Sequence, residues 1–238
     1  MLRHDEQTAR GRHITCNDHR DVTAQLLKMH ELMLGQLGHQ NWWPAESPFE
    51  MAVGAILTQN TNWKNVERAI GNLKKEGVLS PERLLAIPAD DLSDLLRPSG
   101  FFRIKTRRLK NYVMHMDKHY RGDFRASLSG DMETKRAELL SISGIGPETA
   151  DSILLYAGGH ATFVVDAYTK RVMARHYLCD EDTGYDELRS LFTANLPADA
   201  SLFNEFHALF VAVGKTYCRP KEPRCGGCPL SALLVNGR

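Results

Sequence analysis

Residues 139–171, LLSISGIGPETADSILLYAGGHATFVVDAYTKR, decide how the chain is read. Glu138, Leu139, Leu140 and Ile142 point to a helix that stops at Ser143-Gly144, where glycine admits backbone angles that other residues resist. Pro147 suits the first position of a second helix, because its missing amide hydrogen leaves nothing unpaired there. Thr149, Ala150, Ile153, Leu154 and Ala157 then give that helix one apolar face. The product is a helical hairpin whose bend, Gly144-Ile145-Gly146-Pro147, sets unpaired amides beside a helix N-terminus, a seat for a phosphate. An ordinary interhelical turn can have the same glycine spacing. The continuation favours the phosphate seat: an apolar strand-like or loop segment, 161–165, delivers a single carboxylate at Asp166.

At 238 residues the chain is long enough for two modest domains with cores of their own. Its formal net charge of +1 argues against a protein that simply coats nucleic acid, and leaves room for a local basic face. No apolar run approaches the roughly 20 residues needed to span a bilayer. The polar start, MLRHDEQTARGRH, lacks the apolar centre of a signal peptide. A soluble, cytoplasmic protein is the expectation. Residues 1–20 are polar, rich in His and Arg and aperiodic, as expected of a flexible N-terminal extension. Beyond them, apolar residues recur at helical spacing in 22–37, 47–73, 168–177, 185–196 and 201–213. Strand-like alternation never persists, so the fold class is all-α.

Three stretches are more than plain core. Asn41-Trp42-Trp43-Pro44 sets two tryptophans side by side, and chain neighbours rarely face the same way, so one faces a cleft or the surface. Thr58-Gln59-Asn60-Thr61-Asn62-Trp63 is too polar for a core, although Asn and Thr also cap interhelical loops. After Gly100-Phe101-Phe102, a helix carries Arg103, Lys105, Arg107, Arg108 and Lys110 within eight residues, either a solvated face or a basic shoulder for phosphates.

The five cysteines are Cys16, Cys179, Cys218, Cys225 and Cys228. The last three, spaced C-x6-C-x2-C-P, place three thiolates within eleven residues, a spacing that can wrap one soft metal centre. Disulfides would strand one of the three. Zinc would need a fourth ligand.

The pattern G-I-G-P-x-T-A followed by V-V-D resembles the helix-hairpin-helix DNA glycosylases of the endonuclease III family. A-I-L-T-Q-N-T, the Gly-aromatic turn ahead of Lys105, F-H-A-L-F-x-x-x-G-K-x-Y-C and C-x-x-C-P extend the likeness over roughly 22–229. The architecture this implies is two helical lobes with a DNA cleft between them. One lobe, 46–160, is a six-helix barrel that includes the helix-hairpin-helix at 134–157. The other is discontinuous, 21–45 plus 161–238, and bears the cysteine loop 218–228. The likeness further implies a monomer acting on double-stranded DNA that contains a damaged base, nucleoid-associated when at work.

A glycosylase rotates a base out of the duplex, reads it in a pocket and breaks its bond to the sugar. On this resemblance Gly144, Ile145, Gly146 and Thr149 anchor the DNA backbone, Gln59 probes or fills the gap, Trp42, Trp43, Trp63 and Glu148 form the base pocket, and Asp166 is the catalytic carboxylate. Family members that also cut the strand use a lysine where Glu148 stands, so the expected enzyme releases the base and stops. The paired tryptophans, L-T-Q-N-T-x-[aromatic] and R-P-S-G-F are similar to the 3-methyladenine glycosylase branch. An endonuclease III-like enzyme for oxidised pyrimidines or mismatched adenine, or a non-catalytic DNA-binding module, are the alternatives.

The likeness assigns Cys218, Cys225 and Cys228 to an iron-sulfur loop whose fourth cysteine position is here Leu234. A [4Fe-4S] cluster could then recruit Cys16, Cys179 or a histidine, or leave one iron to solvent or a non-protein ligand. Zinc, or no metal at all, are the other outcomes.

Overall fold

The structure is a computed structural model that describes residues 18–234, with side chains from Val22 onward. The expected N-terminal extension up to residue 17, and with it Cys16, lies outside the described residues. Every regular element among the described residues is helical, and no strand occurs.

The helices are α1 (Asp18–Leu37), α2 (Pro48–Leu57), α3 (Trp63–Lys75), α4 (Pro81–Ala86), α5 (Ala89–Leu95) and α6 (Phe102–Tyr120). They continue with α7 (Phe124–Leu128), α8 (Met132–Leu140), α9 (Pro147–Ser152), α10 (Ala167–Arg175), α11 (Tyr185–Asn195) and α12 (Ala200–Thr216). Short polar side chains start them where the sequence supplies caps. Ser47 accepts the Glu50 amide with Pro48 following, and Asn62, Ser80, Asp123, Asp131 and Asp199 act alike at α3, α4, α7, α8 and α12.

Buried apolar side chains gather in two clusters. The first runs from Phe49 to Leu154 and fills the space among α2 to α9. The second joins Leu26, Met29 and Met33 of α1 to α10, α11, α12 and the connecting segment 161–165. α1 therefore packs on α12 across almost the whole chain length. After α9 the chain makes a π-helical turn, Ile153–Ala157, in which the Gly158 amide reaches back to Ile153. Ile153 and Leu154 belong to the first cluster, Leu155 and Tyr156 to the second, so this one turn joins the two cores.

The hairpin departs from its expected outline. α8 ends at Leu140, three residues early, because Ile142 and Ile145 are both buried and the Ile145 amide bonds to the Ile142 carbonyl in a tight turn. Gly144 takes φ +99° in that turn. The second helix is α9 plus the π turn instead of one regular helix. Segment 161–165 is irregular but not loose: Phe163 is fully buried and stacks on Phe192 at 3.7 Å between ring centroids. Burying such a ring contributes roughly 1.5–3 kcal/mol. Behind it, Asp151 is clamped by Arg136 at 3.0–3.1 Å, accepts from Thr162 at 2.9 Å, and lies 3.4 Å from Arg189. This network fastens α9 to α8, α11 and the segment that ends in Asp166.

Candidate active site

Asp166 is the N-cap of α10. Its Oδ1 accepts the Thr169 amide at 2.8 Å, which fixes the carboxylate's plane. Its Oδ2 lies 3.5 Å from Nε2 of His207 on α12, and His207 Nδ1 is 2.5 Å from the Tyr156 hydroxyl. The Tyr156 hydroxyl can donate to Nδ1, which leaves Nε2 facing the carboxylate with no hydrogen-bond partner of its own. Burial works to raise the Asp166 carboxyl, but His207 and the Thr169 amide outweigh it, and the group is held below the ordinary carboxylate range. Burial, reinforced by the Asp166 charge, pushes Tyr156 well up, so it stays a neutral donor.

The carboxylate opens onto a cavity of about 500 Å³, within the range of a small-molecule site. Trp42, Trp43 and Trp63 all line it, their ring centroids 5.1 to 6.4 Å apart. Both members of the tryptophan pair thus face the same space. Trp63 is held by its Nε1–H to Glu67 at 2.6 Å, and Trp43 also touches Tyr156. Glu148 stands at the exposed rim. Surrounding protein, and then the charge of Asp166, push its carboxyl up, against the pull of His207. Lys215 reaches over the Trp42 ring at 5.7 Å.

Gln59 links this cavity to the hairpin. Its amide donates to the Gly144 carbonyl at 3.1 Å and to Thr149 Oγ1 at 2.8 Å, while Arg108 donates to its Oε1. The side chain is therefore tied down at both ends in this conformation and does not stand free as a probe. Within the hairpin, Ile145 is buried with its amide bonded internally, so it packs the turn, and Thr149 is buried against Gln59. The amides of Gly144 and Gly146 make no backbone hydrogen bond.

The expected basic helix face is divided. Lys105 is buried and donates to the Ser99 carbonyl at 2.6 Å, and burial, with Arg108 nearby, lowers its ammonium to about 8. Lys110 donates to the carbonyls of Leu85 and Ile87. Both lysines close the ends of preceding segments, which leaves Arg103 and Arg107 exposed. Lys170 donates to the Thr183 carbonyl at 2.8 Å and is not among the residues lining the Asp166 cavity.

Sequence reasoning passes over His207, Tyr156 and Lys215. The available signal is a histidine within the otherwise apolar run of α12, where an unpaired imidazole would be unfavourable and a partner is expected.

At the far end of α10, Cys218, Cys225 and Cys228 line one small apolar cavity together with Leu234. Cys218 is buried and its Sγ accepts from Arg175 at 3.3 Å; Cys225 is exposed. Among the described residues no three Cys, His, Asp or Glu side chains are gathered closely enough to hold a metal ion as they stand. The thiols nevertheless share one cavity and one N–H···S contact, a soft-metal donor set that is loosely open at Cys225. Cys179 sits apart beside Lys170 and Thr183 and is not among the residues that line this cavity.

A helical hairpin beside an aromatic-walled cavity with one part-buried carboxylate fits a helix-hairpin-helix DNA glycosylase. The chain belongs to the HhH-GPD superfamily of base excision DNA repair proteins, matched over residues 53–198. A provisionally named DNA repair glycosylase of Methanocaldococcus jannaschii is 49% identical over 213 residues, 89% of this chain and 96% of that one. Endonuclease III of Bacillus subtilis is 24% identical over 192 residues, 81% and 83% of the two chains. An endonuclease III–DNA complex shares the fold with a TM-score of 0.75 at 22% identity, over 89% of this chain and 94% of that one. The H. pylori 3-methyladenine DNA glycosylase (MagIII) bound to 1,N6-ethenoadenine follows with a TM-score of 0.66 at 28% identity, over 83% and 97%. No helix among the described residues is long and apolar enough to cross a membrane.

Proposed function

We propose that this DNA glycosylase is monofunctional and excises an alkylated purine of the 3-methyladenine kind from double-stranded DNA, acting as a monomer in the cytoplasm. One observation carries the reading: three tryptophans wall the cavity into which Asp166 opens, and Glu148 stands at its rim where strand-cutting relatives are expected to have lysine. An alkylated purine is cationic, and aromatic faces attract cations by roughly 0.5–2 kcal/mol. The likeness to MagIII agrees with this reading.

A cationic base is a good leaving group, so bond breaking needs little acid assistance. As the glycosidic bond lengthens, positive charge grows on the sugar. Asp166, kept ionised by His207 and the Thr169 amide, stabilises that charge and aligns or deprotonates the incoming water. Tyr156 holds His207, and His207 holds the carboxylate. The free amides of Gly144 and Gly146 receive backbone phosphate without reading sequence. Gln59 is placed between cavity and hairpin to enter the gap left by the base, which requires release of its bonds to Gly144, Thr149 and Arg108. The two hydrophobic clusters support a division into a barrel lobe, 46–160, and a second lobe from 21–45 plus 161–238. Cys218, Cys225 and Cys228 hold a metal centre, an iron-sulfur cluster or zinc, which would brace the 218–228 loop.

The test is incubation with duplexes carrying 3-methyladenine, an oxidised pyrimidine or mismatched adenine, with Asp166→Asn as control and borohydride present in parallel. Release of 3-methyladenine without a trapped protein–DNA adduct is expected. Release of only another base overturns the substrate; an adduct that disappears in Lys215→Met overturns the monofunctional reading.

A further inference from the structure

α10 ends against the cysteine loop, and three successive features of its last turns point there. Arg171 Nε donates to the Cys218 carbonyl at 2.6 Å, and Arg175 Nη1 donates to Cys218 Sγ at 3.3 Å and to the Arg219 carbonyl at 2.7 Å. The next residue, His176, is the C-cap of the helix and lines the same cavity as Cys218, Cys225, Cys228 and Leu234. Its Nδ1 is buried and has no hydrogen-bond partner. A buried ring nitrogen without a partner calls for an explanation, and a metal ligand is one that suits imidazole.

We propose that His176 is the fourth protein ligand of the metal centre, completing a set of three thiolates and one imidazole. The proposal rests on the reading of the cysteine loop as a metal site, and is independent of which base the enzyme removes. The donors come from two elements: the imidazole from the rigid end of α10, and the thiolates from the loop that Arg171 and Arg175 clamp to it. Leu234, at the position where the family resemblance leads one to expect cysteine, lines the cavity with a side chain that carries no ligating atom. The cavity, about 30 Å³, has room for a single ion. Cys225 lies on an exposed 3-10 turn, Cys225–Gly227, at the open side of the set. Three thiolates with one imidazole is an established structural zinc set, and imidazole also replaces thiolate on iron in some iron-sulfur proteins.

The experiment uses the full chain, purified anaerobically and loaded separately with ferrous iron plus sulfide, with zinc, and with cobalt(II) as a spectroscopic stand-in. Wild type, His176→Ala, His176→Cys and Cys225→Ala are compared for metal and sulfide per chain and for retention against a chelator. Removing a residue that only supports a ligand weakens metal binding by roughly 10–100-fold, so a direct ligand must exceed that. The expected result is loss of retention in His176→Ala as large as in Cys225→Ala, and retention in His176→Cys with the cobalt bands moved from the three-sulfur-one-nitrogen pattern toward the four-sulfur pattern. The metal kept by wild type, zinc or iron with sulfide, identifies the centre. Wild-type retention in His176→Ala, cobalt bands unchanged in His176→Cys, or no metal on the wild-type chain under any loading each overturns the assignment. If His176→Ala fails to fold by circular dichroism, the cobalt spectrum of His176→Cys decides between ligand and bystander. Base release assayed on the same preparations tells a failed metal site from a failed glycosylase reading.

Discussion

Two carboxylates, buried Asp151 and part-buried Asp166, sit at either end of the passage from the hairpin to α10, and the protein surrounds them in opposite ways. Asp151 has no exposed surface and is saturated: a two-pronged Arg136, the Thr162 hydroxyl, Arg189 and the Tyr185 hydroxyl all face it. Asp166 keeps 14% of its side chain exposed and has one amide and one imidazole, with the rest of the carboxylate facing the cavity. A saturated carboxylate has no capacity left for a new positive charge, and an unsaturated one does. The two are linked, since the Tyr185 hydroxyl that faces Asp151 also receives the Val165 amide, next to Asp166. The first acid builds the platform on which the second works.

The contrast can be broken most sharply by neutralising each acid. Asp166→Asn is expected to lower single-turnover base release by roughly 10²–10⁴-fold, with little change in thermal midpoint. Asp151→Asn is expected to do the reverse: it leaves Arg136 and Arg189 short of a buried partner at about 3–5 kcal/mol of stability, read by denaturant unfolding, while turnover per folded molecule stays near wild type. Comparable loss of activity in both would abolish the distinction.

His207→Gln sharpens the comparison. Removing the imidazole that faces the carboxylate is expected to slow release by roughly tenfold, about 1.4 kcal/mol of barrier. With His207 gone, burial, already the largest single influence on Asp166, is opposed by Thr169 alone and the carboxyl's pKa climbs. The acid limb of the release profile, which for wild type lies below the ordinary aspartate value of about 3.9, is expected to move upward. A limb that stays put would free Asp166 from His207.

Glu148→Gln is the smallest change. The folded pKa of Glu148 is raised, so between the ordinary glutamate range and that value the folded chain binds a proton that the unfolded chain has lost. Stability therefore falls as pH rises through that window. Glutamine removes the effect, and the variant is expected to melt slightly higher at pH 7 and together with wild type near pH 4. A lower midpoint at pH 7 would give Glu148 a stabilising contact instead.

Sequence distance determines how much of this is legible in the chain itself. The all-α class, the hairpin and its family can be read from residues that stand next to one another, such as Gly144 to Pro147 and Val164 to Asp166. Asp166's setting cannot, because His207 lies on another helix and only tertiary packing brings it to the carboxylate. The basic run at 103–110 misleads for a related reason: spacing shows which face a lysine occupies, but not that Lys105 folds inward to cap Ser99. Gln59 reads as a free probe in the sequence because its three partners, Arg108, Gly144 and Thr149, are all remote along the chain.

The packing of α1 on α12 has a consequence for how the molecule is made. Domains generally fold as units during synthesis, N-terminal parts first, at about 5–20 residues per second. The first cluster, from Phe49 to Leu154, is contiguous and complete before α12 is made. α1 leaves the ribosome before α12, yet its apolar face waits for that helix. The carboxylate cavity needs His207 and Lys215 from that same late helix. A nascent or truncated chain can therefore own a finished hairpin without yet owning a finished pocket around its acid.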